Sequence, residues 1–195
     1  PAVLANMAST LDITSRGRLE LGVGAGWNEE ECEAYGIELG SMNQRFERFE
    51  EGMEVLTQLL NNDRSTFRGD WYSLEDAMNN PKGPQDPLPI CIGGGGLRRT
   101  IPAVVKHAHH WNYGTQTMSL DDFKMRYEVF LQACEKEGRN PDEILISTML
   151  RYDGDAQATI QQAREYEDAG VKLGIVSIPK DKPPEIIEEI AEVLS

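Results

Sequence analysis

The chain has 195 residues, a formal net charge of −14 and three cysteines, Cys32, Cys91 and Cys134, which form no CxxC pair. This length is enough for one domain with a substantial core, and the acid excess excludes the basic surface that nucleic acids and anionic membranes require. No stretch approaches the roughly 18 apolar residues of a membrane helix, and an odd cysteine count argues against a disulfide framework, so we expect a cytoplasmic protein.

The first predicted elements are a helix, a strand and a second helix. The first helix shows one apolar face near the start of the chain, and Gly17 follows as its C-cap. Apolar residues at every second position from Leu19 to Val23 then indicate a strand that enters a sheet. The second helix covers about residues 43–60. The two apolar faces consist of Leu4, Met7, Ala8 and Leu11, and of Phe46, Phe49, Met53, Leu56 and Leu60.

Residues 61–88 show no regular periodicity. The segment from Phe67 to Tyr72 could pair as a short hairpin, and a cluster of prolines beyond it keeps the chain extended. We therefore predict a long insertion between two strands rather than a domain boundary. Long ordered loops of this kind are often functional.

Strands and helices alternate through the rest of the chain. A last helix opens at Pro183 and Pro184, with Ile186, Ile187, Ile190 and Leu194 on its inner side. Ser119 and Asp122 resemble a capping box for an earlier helix. The strands are expected at residues 89–92, 110–113, 143–152 and 173–178, and the helices at 97–107, 119–134 and 156–169.

The order of elements predicts the fold class. One helix followed by five strand–helix units indicates an α/β protein with parallel strands joined by right-handed crossovers. A doubly wound sheet and a barrel both fit this pattern. Five strands cannot close an eight-stranded barrel, so in a barrel the missing strands would lie upstream of Pro1.

Four consecutive glycines, Gly93, Gly94, Gly95 and Gly96, stand between a predicted strand and a predicted helix. Glycines allow the backbone to approach a ligand, and the N–H groups at a helix start favour an anion. Arg98 adds positive charge in the same turn. We predict a phosphate-binding site; the alternative is a flexible turn. A Walker loop is excluded because no Gly-Lys-Ser/Thr follows.

A second glycine-rich segment, from Gly22 to Gly26, ends one of the predicted strands. It is not a dinucleotide-binding fingerprint, because Trp27 stands where the last glycine is needed and three glutamates follow. We expect this strand end to lie against a flat ligand, with Trp27 and Asn28 lining the pocket. Ordinary packing of Trp27 is the alternative.

The histidines and carboxylates carry no distinctive catalytic pattern. His109 and His110 are adjacent on a predicted strand and would point to opposite faces, so we expect packing or solvent roles for them and for His107 rather than a metal site. The chain has no G-x-S-x-G elbow and no cysteine motif that marks a nucleophile.

Several motifs in order along the chain resemble the luciferase-like monooxygenase family. The pattern is most similar to the subgroup that uses the deazaflavin coenzyme F420, although FMN-using relatives share much of it. The motifs are Pro1-Ala2-Val3-Leu4-Ala5, Thr10-Leu11-Asp12, Ser15-Arg16-Gly17-Arg18, Leu21-Gly22-Val23-Gly24-Ala25-Gly26-Trp27, Arg45-Phe46, Phe67-Arg68-Gly69, Pro89 with Ile92-Gly93-Gly94, and Trp111-Asn112.

The resemblance implies a (β/α)8 TIM barrel that is incomplete here, containing strands four to eight in a single partial domain over residues 1–195 with the insertion at about 61–88. It implies a cofactor, F420 or alternatively FMN, whose phosphate is held by the run from Gly93 to Gly96. Asn28, beside Trp27, would lie near the cofactor ring. A small-molecule substrate and a homodimer are implied as well.

The resemblance also leaves the catalytic residues unassigned. Family members usually have further residues before the position of Pro1, and these supply strands one to three and the acid–base groups. We therefore expect little activity from this chain alone. A barrel remnant that acts only through association with itself or a partner is the alternative, as are an NAD-binding doubly wound enzyme and a barrel enzyme that binds a substrate phosphate at the glycine run.

Overall fold

The computed structural model of the protein describes residues 1–114, 119–180 and 182–194, with side chains as far as residue 192. Helices and strands alternate as predicted. In chain order the elements are α1 (Ala2–Ser15), β1 (Leu21–Val23), α2 (Glu29–Ala34), α3 (Met42–Asn61), β2 (Ser65–Arg68), β3 (Ser73–Ala77), β4 (Ile90–Gly93), α4 (Thr100–His107), β5 (His110–Tyr113), α5 (Leu120–Glu137), a 3-10 turn (Pro141–Glu143), β6 (Leu145–Arg151), α6 (Ala156–Asp168), β7 (Leu173–Ser177) and α7 (Ile186–Leu194).

Five strands form one sheet in the order β1-β4-β5-β6-β7, and β2 and β3 form a separate antiparallel pair. β5 pairs with β6 in parallel, and so does β6 with β7. The predicted parallel strand–helix units and the predicted hairpin are thereby confirmed. Internal contacts divide the chain into two compact units, Pro1–Cys91 and Ile92–Ser195.

The first unit is built on the packing of α1 against α3. α3 begins at a capping box in which the Ser41 hydroxyl accepts from the Gln44 N–H and the Gln44 side chain accepts from the Ser41 N–H. Its predicted bounds of 43–60 are correct to one residue at each end. The buried side of the helix consists of Met53, Val55, Leu56 and Leu59.

Of the predicted apolar face of α1, only Ala8 is buried, and the large side chains are exposed. Leu4, Met7 and Leu11 are 37%, 62% and 53% exposed, whereas Ala5 and Ala8 are buried. The small side chains lie inside because they allow α1 to approach its neighbour closely, which leaves the bulky side chains outside. We call this exposed surface the α1 apolar face. It lines a groove of about 750 Å³.

A buried carboxylate joins α1 to the proline-rich segment. Asp12 is fully buried and accepts from the backbone N–H of Gln85 at 3.2 Å and from its side-chain amide at 2.7 Å. The same amide donates to the carbonyl of Leu19 at 2.7 Å. A Cβ at Gly83 would collide with the Asp12 side chain. The prolines keep this segment extended, and Asp12 fixes its position.

Glu51 of α3 closes the turn of the β2–β3 hairpin. Its carboxylate accepts from three successive backbone N–H groups, those of Asp70, Trp71 and Tyr72, at 2.9, 2.9 and 3.1 Å. Desolvation on its own would raise the pKa of Glu51, but these hydrogen bonds to the charged form outweigh it and lower the pKa below its ordinary value of 4.5. The hairpin is therefore held through an ionised side chain.

We expect Glu51→Gln to lower the melting temperature at pH 7. We also expect the melting temperature of the variant to fall less than that of wild type when the pH is lowered. Because the folded-state pKa of Glu51 lies below 4.5, its contribution is present above that pH and is lost as the pH falls through the folded-state pKa. The melting-temperature gap between wild type and variant should thus narrow below pH 4.5. Glu33→Gln, on the exposed surface of α2, is the control. A gap that stays constant with pH would contradict the assignment.

The second unit has an aromatic core between β5 and α5. The Trp111 ring lies 6.0 Å from Tyr113, 6.2 Å from Phe123 and 5.2 Å from Phe130, measured between centroids. All four residues are fully buried. Arg139, after α5, donates to the carbonyls of Val105 and Ala108 at 2.6 Å each and so ties the end of α4 to the same core.

Two predicted details of this unit are wrong. α4 begins at Thr100 rather than Leu97, because the chain continues from the glycines as a turn over residues 97–99. Ile187 is 59% exposed, whereas Ile190 packs with Tyr152 and Ile186. With about 100° between successive helix residues, Ile186 and Ile190 share a face and Ile187 does not.

Candidate functional site

The glycine run continues directly from β4. Gly93 ends the strand, and Gly94 donates its N–H to the carbonyl of Asn112 at 2.9 Å. Gly94 then adopts φ +109°, a backbone conformation that favours glycine. The chain turns here and reaches α4 at Thr100, with Arg99 as the N-cap.

Three successive carbonyls of the run are held by donors of the same unit. The indole Nε1–H of Trp111 donates to the Gly94 carbonyl at 2.7 Å, and the guanidinium of Arg126 donates to the Gly95 carbonyl. The Ile101 N–H donates to the Gly96 carbonyl at 3.0 Å. In a trans peptide the C=O and the following N–H point in opposite directions. The N–H groups of Gly95 and Gly96 therefore point away from these donors.

A side chain at the centre of the run would crowd its neighbours. An added Cβ at Gly95 would stand 3.0 Å from the Tyr113 ring and 3.1 Å from Cδ of Arg126. At Gly96 it would stand 2.7 Å from the Thr100 hydroxyl. A Cβ at Gly93 would meet nothing within 4 Å. Gly95 is buried against the core, whereas Gly93, Gly94 and Gly96 are exposed.

Two buried polar atoms beside Gly95 have no hydrogen-bond partner among the described residues. They are the Tyr113 hydroxyl and Nε of Arg126. Burial raises the pKa of Tyr113, and the nearby Arg126 cation only partly opposes this, so the hydroxyl keeps its proton at neutral pH. Hydrogen-bond donors therefore line the side of the glycine run that faces the core.

A polar row crosses β5 and β6 in the same unit. His110 and Ser147 lie with Nε2 and Oγ 2.6 Å apart, and Asn112 donates its amide to the same hydroxyl at 2.7 Å. His110 and Ser147 are buried. His109 is half-buried, and desolvation together with the charge of Arg139 lowers its pKa.

The first unit holds the other predicted site residues. Trp27 is 82% exposed, and Asn28 is the N-cap of α2, where its Oδ1 accepts from the Glu31 N–H at 3.2 Å. Arg45 donates to the carbonyl of Gly26 at 3.2 Å and fixes the end of the loop. A cavity of about 310 Å³ beside this loop is lined by Gly24, Gly26, Arg45 and Arg48 among others. Trp27 stands outside that lining.

Arg98 is exposed in the turn that precedes α4. Neither Arg126 nor the donor role of Trp111 is among the features predicted from the sequence. A signal for Arg126 exists in the sequence, since Arg126 stands three residues after Phe123 and four before Phe130. A charge in the middle of an apolar helix face indicates a specific partner. No comparable signal marks the indole N–H of Trp111.

The luciferase-like monooxygenase family matches residues 1–172. Among curated proteins, the F420-dependent glucose-6-phosphate dehydrogenase of Amycolatopsis mediterranei is 30% identical over 171 residues, covering 84% of this chain and 49% of that protein. The pyrimidine monooxygenase RutA of Pseudomonas syringae pv. syringae is 29% identical over 160 residues, covering 81% and 44%. The chain thus spans about half the length of the curated relatives it matches.

Comparison with solved structures bears on the fold. An F420-dependent secondary alcohol dehydrogenase, solved with an F420-acetone adduct, aligns over 99% of this chain and 74% of its own with a TM-score of 0.85 at 18% identity. The predicted partial TIM barrel is thereby confirmed as the fold class. No helix within the described residues is long and apolar enough to cross a membrane.

Proposed function

The chain belongs to the luciferase-like monooxygenase family, and from this we propose that it forms the cofactor-phosphate-binding part of an oxidoreductase that uses F420, or alternatively reduced FMN, on a small organic substrate. The observation that carries the proposal is the orientation of the glycine run. Its carbonyls are held by Trp111 and Arg126, so the N–H groups of Gly95 and Gly96 point away from these two donors. Such a row of N–H groups is an anion-binding element.

The residues present fit a phosphate-bearing cofactor. Gly93, Gly94 and Gly96 are exposed, and Arg98 supplies an exposed cation in the same turn. We propose that Gly93, Gly94, Gly95, Gly96 and Arg98 hold the phosphate. When bound, F420 supplies hydride transfer and reduced FMN supplies oxygen activation, while the protein supplies position and electrostatics.

Trp27 and Asn28 stay predictions for the cofactor ring. Trp27 offers an exposed indole face, which suits stacking on a flat ligand. Asn28 uses Oδ1 as a helix cap, so its Nδ2 group is the part that would meet a ligand. The role of both residues is to orient the ring.

Titration of the purified chain with F420 and with FMN, followed by quenching of tryptophan fluorescence, tests the proposal. We expect saturable binding of one cofactor in the micromolar range. Gly95→Ala should weaken it at least about tenfold, because the added methyl group meets Tyr113 and Arg126. Gly114→Ala is the matched control, since a Cβ there meets nothing within 4 Å.

Either of two results would overturn the proposal. One is the absence of saturable binding of both cofactors. The other is a Gly95→Ala variant that binds as tightly as wild type. Circular dichroism and melting temperatures of both glycine variants, recorded under the titration conditions, ensure that folded proteins are compared.

We propose in addition that this chain alone turns over little substrate, and that the protein works as a dimer in the cytoplasm. The free thiols of Cys32, Cys91 and Cys134 agree with a reducing compartment. The α1 apolar face favours association and also supports the second candidate, a non-catalytic protein acting through self- or partner association. A stable oligomer without cofactor binding would select that candidate.

A further inference from the structure

We infer that Arg126 and Trp111 are positioning residues that preform the phosphate cradle by fixing two successive peptide planes of the glycine run. The inference rests on the proposed function and deepens it. On this inference, the selectivity for a phosphate-bearing ligand depends on two donors that lie on the opposite side of the glycine run from the ligand.

Trp111 and Arg126 fix the backbone conformation of the glycine run. A glycine run is intrinsically free to rotate its peptide planes, because glycine populates both signs of φ. Here the Trp111 indole holds the Gly94 carbonyl at 2.7 Å and the Arg126 guanidinium holds the Gly95 carbonyl. Each bond fixes one carbonyl and thereby turns the following N–H in the opposite direction.

Fixing the peptide planes in advance lowers the cost of binding. Without these bonds, the N–H groups of Gly95 and Gly96 would have to be ordered when the ligand binds, at a cost in conformational entropy. With the bonds, that ordering is already complete in the free protein. The position of both donors in the aromatic core explains why they can hold the run rigidly, since Trp111 is fully buried against Tyr113 and Phe130.

Arg126 also brings a positive charge close to the glycine run. Arg126 is a cation placed directly behind the Gly95 carbonyl, with Nε buried and unpartnered within the described part of the chain. It polarises that peptide, and it adds a positive potential at the cradle without contacting the ligand. Loss of this side chain should therefore weaken binding of a phosphate more than binding of an uncharged ring.

The test compares each cofactor with its phosphate-free counterpart, FMN with riboflavin and F420 with its deazaflavin core. Wild type should prefer the phosphate-bearing member of at least one pair. Arg126→Met should lower that preference about tenfold, with little change in the affinity for the phosphate-free ligand. Arg139→Met is the control, because Arg139 is another arginine of this unit whose guanidinium donates to two backbone carbonyls, those of Val105 and Ala108.

The outcomes separate the two proposals. If wild type shows no preference in either pair, the proposed function fails, and this inference fails with it. If wild type shows the preference and Arg126→Met retains it, or if Arg139→Met loses it equally, only the positioning role is overturned. Loss in Arg126→Met alone supports it.

A second measurement needs no variant and covers the case in which Arg126→Met does not fold. Inorganic phosphate is titrated into ¹⁵N-labelled wild-type protein. The amide resonances of Gly95 and Gly96 should shift most, because their N–H groups point away from the Trp111 and Arg126 donors. The Gly94 amide, which donates to Asn112, is the internal control and should shift least. Equal shifts of all three amides would overturn the orientation that we infer.

Discussion

Trp111→Ala is expected to lower the free energy of unfolding by about 3–5 kcal/mol, the range for large-to-small substitutions of buried aromatics. The indole is fully buried and packs against Tyr113, Phe123 and Phe130. Its removal leaves a cavity in the aromatic core and deprives the Gly94 carbonyl of its donor. Urea unfolding followed by far-UV circular dichroism measures the loss without relying on the deleted fluorophore.

Two further variants separate packing from hydrogen bonding at this position. Trp111→Phe retains one aromatic ring but removes the donor to Gly94 and the second ring of the indole, so it should cost less stability than Trp111→Ala while still reducing phosphate selectivity. Met125→Ala, on the exposed side of α5, should change stability by less than about 0.5 kcal/mol. Equal destabilisation by Trp111→Ala and Met125→Ala would show that Trp111 is not central to this core.

Asp12→Ala is expected to destabilise the first unit by about 2–4 kcal/mol, because it leaves the backbone N–H of half-buried Gln85 and one hydrogen of its side-chain amide without their acceptor. The segment that contains Gly83 and Gln85 would lose its attachment to α1. Limited proteolysis should then cut this segment faster in the variant than in wild type. Chemical denaturation provides the magnitude.

The control for Asp12 is Glu33→Ala, which removes an exposed carboxylate of the same unit. It should leave stability within about 0.5 kcal/mol of wild type. Asp12→Asn is a second comparison, since an amide can replace only one of the two acceptor oxygens and places a donor against another donor. Wild-type stability of both Asp12 variants would refute the role of the buried carboxylate.

The amino-acid sequence predicts the order of strands and helices well, because each of these elements has its own local pattern of apolar residues. β5 is correct at both ends, and α3 is correct to one residue. The start of α4 is wrong because the turn after the glycines depends on hydrogen bonds to Trp111 and Arg126, which are distant in sequence. Periodicity identifies the residues that share a face of α1, but it does not tell which face is covered.

The candidate site was predictable in its location and less so in its mechanism. A strand, four glycines and Arg98 indicate a phosphate site from spacing alone. The residues that orient the run lie 17 and 31 positions away from the carbonyls they hold. Such pairs require the tertiary structure. For Asn28, the capping role competes with the predicted ligand role, and local sequence does not distinguish them.

The α1 apolar face lies on a chain with a formal charge of −14. At low ionic strength, long-range repulsion keeps copies apart beyond the distance at which apolar surfaces attract each other. At about 1 M salt the Debye length falls to about 3 Å, and that barrier disappears. We therefore expect self-association through the α1 apolar face to increase with ionic strength.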